Sequence, residues 1–298
     1  MKVAFIGDPH FRIQTPTSRT EENFWNVIVN KVHWLGETCQ KQGIKYVIST
    51  GDLLDSRPPS IALLHKVADL LLEARDTYGL QFFTIQGNHD LHYHTTTEYT
   101  GLMLLARIGA INILDADAPL EFDTFSIVGC AYDTTIPSIR DNYTILVLHE
   151  MILPPTVSLP VKTFDIERVK QFPLVICGHY HEPFRYKNII NPGAFIRTRW
   201  EERNYTPSVT VFDSVSRTTE NYSIPVIPSN VSFVHRKVAT QSEKFNSKLD
   251  AFVNHLSTLT PKNYNSKDWL SGEILSIPNR NLKELLKKYY EEASKTTT

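Results

Sequence analysis

The chain has 298 residues, 41% of them hydrophobic, enough for one large domain with an appendage or for two medium ones. Lys and Arg number 31 against 32 Asp and Glu, a formal net charge of −1 that excludes a generally cationic surface for gripping nucleic acid but allows a local patch. No run approaches the ~18 apolar residues of a membrane span, and Cys39, Cys130 and Cys177, odd in number and set among apolar residues, read as reduced thiols rather than a disulfide frame or zinc site.

Taken in chain order, the first element is KVAFI, residues 2–6, read as a buried strand and too short for a signal-peptide core. Between Glu22 and Gln42 the period turns helical, with Phe24, Val27, Ile28, Val32 and Leu35 on one face and Gly43 as the stop. KYVIS (45–49) is a second strand, Ile61 to Tyr78 a second helix, LQFFTI (80–85) a third strand and Tyr99 to Ile108 a third helix. This alternation predicts an α/β domain whose site lies outside the carboxyl ends of the strands. After about Leu120 the strands crowd together: FSIVGC, TILVL, LVIC and NII, then a hairpin from Val209 to Ile224. This closely spaced half predicts a second sheet, and a catalytic domain over 1–225. From residue 226 to 298 the charge changes sign, +4 against −5 for what precedes it. Amphipathic helices around Phe245–Leu256 and Leu282–Tyr289, with strands at Ser232–Ala239 and Glu273–Ile277, predict a small basic α/β cap.

Glycine is scarce, yet four of the twelve, Gly7, Gly51, Gly87 and Gly178, each close an apolar run directly before Asp8, Asp52, Asn88 and His179. A glycine there lets the backbone turn sharply and delivers the next side chain outward. The polar residues so delivered are Asp8 and His10, Asp52, Asn88-His89-Asp90, His149, and His179 with His181. Seven oxygen and nitrogen donors without a thiolate suit hard or borderline divalent ions, and they are too many for one ion but enough for two that share a carboxylate. In a regular strand His179 and His181 would point apart, so they converge only if Gly178 begins a loop.

The pattern Asp-x-His, Gly-Asp-x-x-Asp, Gly-Asn-His-Asp, His, Gly-His-x-His, spanning Asp8 to His181, resembles the calcineurin-type metallophosphoesterase superfamily. That resemblance implies a four-layer sandwich of two mixed sheets flanked by helices. It also implies two divalent metal ions, manganese first, with iron, zinc or magnesium as alternatives. Asp8, His10, Asp52 and His181 would hold one ion, and Asp52, Asn88, His149 and His179 the other. His89 matches the family's catalytic histidine that binds no metal. Asp90 is a candidate for orienting the other nitrogen of His89, or else a solvated turn residue.

Protein phosphatases of the superfamily read Gly-Asp-x-x-Asp-Arg-Gly, whereas this chain inserts Ser56 and continues Arg57-Pro58-Pro59-Ser60. That run, with Asn191-Pro192-Gly193-Ala194-Phe195 and a cap behind the catalytic domain, resembles the SbcD-type repair nucleases and their phage relatives. The resemblance implies a DNA exonuclease or endonuclease, working with an SbcC-type SMC-like ATPase, as a possible homodimer, in the cytoplasm of a bacterial or phage-infected cell. The alternatives are a stand-alone phosphodiesterase for small nucleotides and a binding module with a vestigial metal site. Arg57, Arg197, Arg199 and Trp200 are the candidate substrate contacts. The run from Arg197 to Arg203 also alternates with Glu201 and Glu202, as a solvated surface does.

Overall fold

The computed structural model of the chain describes residues 1–56, 58–91, 100–139 and 143–234. Lys2–Ile6 (β1), Tyr46–Ser49 (β2), Gln81–Thr84 (β3) and Asn112–Ile113 (β4) run parallel in that order. Phe24–Gln42 (α1), Ile61–Tyr78 (α2) and Gly101–Arg107 (α3) connect them. The helix ends follow local chemistry. The Ser60 side chain accepts the Leu63 N–H at the start of α2, and Gly43 and Gly79 close α1 and α2 in the left-handed region at φ +67° and +71°.

A second sheet is built from Leu120–Phe122 (β5), Phe125–Cys130 (β6), Thr144–His149 (β7), Leu174–Gly178 (β8), Phe184–Tyr186 (β9) and Ile189–Asn191 (β10), in the spatial order β5-β6-β7-β8-β10-β9. Its four central strands are parallel and its two edges antiparallel. The closing hairpin, Ser208–Asp213 (β11) and Thr218–Ser223 (β12), corrects the sequence reading. It does not extend the second sheet but pairs antiparallel with β1, from Lys2 opposite Asp213 to Ile6 opposite Val209. The reason is burial on both faces: Val209 and Val211 pack toward the helices while Phe212 enters the space between the sheets.

Strand alternation sorts the core into layers. On β1, Val3 and Phe5 meet Phe125, Ile127, Ile145, Val147 and Phe212 between the two sheets, while Ala4 and Ile6 meet Ile28, Leu35, Val67 and Leu71 of the helices. The outer face of the second sheet, with Val128, Leu146, Leu148 and Val175, is covered differently from expectation. Ile152, Val169 and Phe172 close it from a loop with a 3₁₀ turn at Ile166–Val169, so among the described residues the fourth layer holds no long helix. The three cysteines are buried and free. No described helix is long and apolar enough to cross a membrane.

Residues 226–234, assigned to the cap from sequence, lie on the first unit of the chain, which ends at His235. Ser229–Ser232 forms a helical turn (α4) where a strand was expected to begin, and Phe233 is buried and bridges Arg19. The Val234 N–H donates to the Ser18 carbonyl at 2.9 Å. Arg57 and the remainder of the expected cap lie outside the described residues.

Phe212 is fully buried where the two sheets face each other, with Phe125 edge-on at 5.4 Å and Tyr143 stacked at 5.6 Å. Phe212→Ala is expected to cost about 3–5 kcal/mol of stability. Urea denaturation checks this, and a loss below about 1 kcal/mol would show that the sheets do not depend on this contact.

Candidate metal centre

The carboxyl ends of β1, β2, β3, β7 and β8, or the loops that follow them, deliver their polar residues to one place. Asp8, His10 and His181 place ligand atoms within 4.8 Å of one another, as do Asp52, His149 and His179. Asp52 stands between the two groups, its Oδ2 3.6 Å from His10 Nε2 and 3.5 Å from His149 Nε2. Asn88 Oδ1 lies 3.1 Å from His149 Nε2. Asp8, Asp52, His10 and His149 are buried, while Asn88, His89 and His179 are half-buried and form the mouth.

The glycines work mainly by letting these groups approach. A Cβ on Gly7 would lie 1.7 Å from the Gly193 carbonyl oxygen, one on Gly87 2.2 Å from Asp52 Oδ1, and one on Gly178 2.3 Å from Asp8 Oδ1. Of the four, only Gly51 takes a positive φ, +101°, and there a side chain would also meet His149 Nδ1. The sharp turns fall instead on the ligands. His10, Asp52 and His179 sit at φ +45°, +48° and +79°, a conformation that costs non-glycine residues about 1 kcal/mol or more each. That turn at His179 breaks the strand alternation and lets His179 and His181 converge. The loops are tied to each other by backbone bonds from His10 to Asp52 and from Phe11 to Leu53, both 2.9 Å.

Three histidines have their tautomer fixed by an acceptor behind them. His149 Nδ1 donates to the Thr50 carbonyl at 2.7 Å, His89 Nδ1 to the Asp55 carbonyl at 2.8 Å, and His181 Nδ1 to Glu202 at 2.5 Å. Each therefore turns Nε2 toward the cluster. Asp90 does not hold His89 and is not a solvated turn residue. Its buried carboxylate accepts the N–H groups of Leu53, Leu54 and Gly87 at 3.0–3.2 Å, and so locks the loop after β2 to the loop after β3. Thr50 bonds Asp8 Oδ1 through its hydroxyl at 2.8 Å, and the His179 N–H holds the other oxygen at 2.7 Å.

Glu202 is the residue that sequence reasoning missed. Read there as part of a solvated run, it is buried, and it accepts the N–H groups of Thr198 and Arg199 as well as His181. Nothing in the alternating charges around it sets it apart from Glu201. Arg197 is a second correction: its guanidinium is buried and spent on the carbonyls of Arg203, Tyr205 and Ile227 and on the Ser229 hydroxyl, so it offers no contact to a substrate. Arg199 is exposed, and its charge reaches His10. Trp200 is half-buried, with the Arg203 guanidinium 4.6 Å over its ring and Phe233 edge-on at 6.1 Å.

The charges tune one another. Burial opposes a proton on His149, but Asp52 and Asp8 outweigh it and push its pKa up to about 10. Burial would raise Asp52, yet His149, with His10 and His89, holds it well below the usual carboxylate range. Burial and the neighbouring His149 push His179 down to about 4, and burial keeps His10 neutral as well. Asp90 is raised to about 7 by burial and then by Asp52, against its three N–H partners, which pull it down.

The donor set fits divalent cations. His10 Nε2 faces His181 Nε2 at 3.1 Å, and the other His10 nitrogen, though buried, has no hydrogen-bond partner. Buried imidazole and carboxylate donors crowded in this way are costly unless an electrophile joins them. A cation bound beside His149 replaces the proton that the carboxylates hold there.

The Calcineurin-like phosphoesterase family matches residues 1–183, and the chain belongs to it. It is a metallophosphoesterase, of a family built around a dinuclear metal centre. The chain is 25% identical over 262 residues to exonuclease subunit 1 of Enterobacteria phage T4, covering 80% of this chain and 70% of that protein. Among solved structures, an archaeal phosphodiesterase is similar with a TM-score of 0.39 and 14% identity, over 75% of this chain and 100% of its own. A hypothetical protein from Pyrococcus horikoshii is similar with a TM-score of 0.40 and 11% identity, over 84% and 93% of the two chains.

Glu202 sets the orientation of His181 from behind. Glu202→Ala is expected to weaken divalent-metal affinity about 10- to 100-fold while the far-UV circular dichroism stays unchanged. Calorimetric titration with manganese checks this, and an unaltered affinity in a folded variant would mean that His181 needs no such support.

Proposed function

We propose that this metallophosphoesterase hydrolyses DNA phosphodiester bonds as the nuclease subunit of an SbcCD-like repair or recombination complex. The observation that carries the proposal is the convergence of two ligand groups on a shared Asp52, with His89 at their rim. The kinship with a phage exonuclease subunit supports DNA as the substrate and a partner subunit, and the SMC-like ATPase as that partner rests on the sequence resemblance. Asp8, His10 and His181 would hold one ion with Asp52, and Asn88, His149 and His179 the second with the same carboxylate, manganese being the first candidate and iron, zinc or magnesium the others. When bound, two such ions supply Lewis-acid charge to a phosphoryl group and lower the pKa of an attacking water.

The chain's own residues do the rest. The rigid strand ends hold the ligands, and the Asp90 brace keeps the loop of Asp52 fixed against the loop of Asn88. His89 faces the same space with Nε2, its ring edge-on to His10 with centroids 4.9 Å apart. In the protonated state its Nδ1–H stays on the Asp55 carbonyl, and Nε2–H is free to go to the leaving oxygen. The attacking water gives one proton to solvent and its oxygen forms a bond to phosphorus as the bond to the leaving oxygen breaks; that oxygen takes the His89 proton, and His89 is reprotonated from solvent. Arg199, exposed beside His10, is the first candidate for a contact to the DNA phosphates. A C-terminal cap after the catalytic domain remains part of the proposal, as the segment that would lie along DNA or partner.

The test compares manganese-dependent cleavage of linear duplex DNA with turnover of cyclic nucleotides and aryl phosphodiesters. Duplex cleavage is expected, with His89→Ala lowering kcat about 10²- to 10⁴-fold at unchanged metal affinity. Turnover of the small diesters alone, abolished in the same variant, would replace the nuclease with a small-molecule phosphodiesterase. No metal-dependent turnover at all would favour a binding module.

A further inference from the structure

Between α1 and the segment before α4 lies a cavity of about 130 Å³. Three cationic side chains line it, Arg19, Lys31 and Arg197, against apolar walls that include Val27, Trp34 and Pro225. All three cations are buried. Arg19 is neutralised by two bonds to Glu21 and also donates to the Arg197 carbonyl at 2.6 Å. Arg197 bonds only carbonyl and hydroxyl oxygens, and Lys31 makes one hydrogen bond, 3.3 Å to the Pro225 carbonyl. Glu21 and Glu202 lie near enough to temper Arg197, but they are bonded to Arg19 and to His181.

Two buried positive charges thus line the cavity with no carboxylate bonded to them among the described residues. Burying charge without a counter-charge is expensive. The cost shows on Lys31, whose pKa burial lowers to about 7, with Arg197 and Arg19 pushing the same way. An anion seated beside the ammonium removes that cost and holds the proton on Lys31. The indole of Trp34 and the Pro225 ring supply a surface for an apolar substituent.

We propose that this cavity is a second ligand site, for a small phosphate monoester whose phosphate sits on Lys31 and whose apolar part lies against Trp34 and Pro225. It is separate from the metal centre, and it stands whether or not that centre cleaves DNA. The test is a calorimetric titration of the full chain, in chelator so that no divalent ion takes part, with deoxyadenosine monophosphate and with inorganic phosphate. One-to-one binding is expected, weakened about tenfold or more by Lys31→Met. In the unmodified chain, amine labelling read by mass spectrometry should show Lys31 protected by deoxyadenosine monophosphate, a readout that does not depend on the variant folding. Binding that requires added divalent ions, that is equal in Lys31→Met, or that leaves Lys31 labelling unchanged would overturn the proposal.

Discussion

The structure depends on one crowded carboxylate. Asp52 is buried in the loop just after β2, within 3.6 Å of imidazole nitrogens from the loop after β1 and from the end of β7. To get there its own backbone takes a left-handed turn, and its neighbour at Gly87 must lack a side chain. Its Oδ1 is held by the His89 N–H at 2.7 Å, so the residue that fixes the carboxylate is the one proposed to act on the leaving group. The Asp90 carboxylate, bonded to three backbone N–H groups around Asp52, keeps that arrangement from relaxing. Such local strain persists only where the surroundings over-determine it.

Electrostatics follow from the same crowding. Two buried carboxylates and four imidazoles cannot all take their ordinary protonation states, so His149 carries the proton while His10 and His179 stay neutral. The site is a set of lone pairs whose one strong internal positive charge is displaceable. This also bears on the net charge of −1 for the whole chain. A phosphoesterase needs positive charge at the reacting phosphate, and in the proposed mechanism that charge would come with the ions rather than from a cationic surface.

Much of this was legible in the sequence because apolar runs ending in Gly-Asp, Gly-Asn-His and Gly-His are local signals. Apolar stretches of five or six residues such as KVAFI and FSIVGC read as strands from their local pattern alone, and ligand residues follow KVAFI, KYVIS and LVIC within a few positions. What stayed hidden was long-range. Val209–Asp213 reads as a strand, but only the need to bury Phe212 and Val211 on opposite faces sends it to β1 instead of the second sheet. Glu202 and Arg197 look like solvent-exposed charges in an alternating run, and their burial is set by partners distant in sequence, His181 for one and the 227–229 segment for the other. For Asp90, adjacency to His89 suggests either a partner of that ring or a solvated turn, whereas its carboxylate is aimed at backbone N–H groups distant in sequence as well as at Gly87.

The central claim is that Asp52 joins two metal ions into one centre. Electron paramagnetic resonance of the chain loaded with two equivalents of manganese(II) tests it most directly. A shared carboxylate predicts the exchange-coupled signal of a manganese pair, replaced in Asp52→Asn by the signal of isolated ions or by loss of binding. An isolated-ion spectrum from the unmodified chain at full occupancy would contradict it.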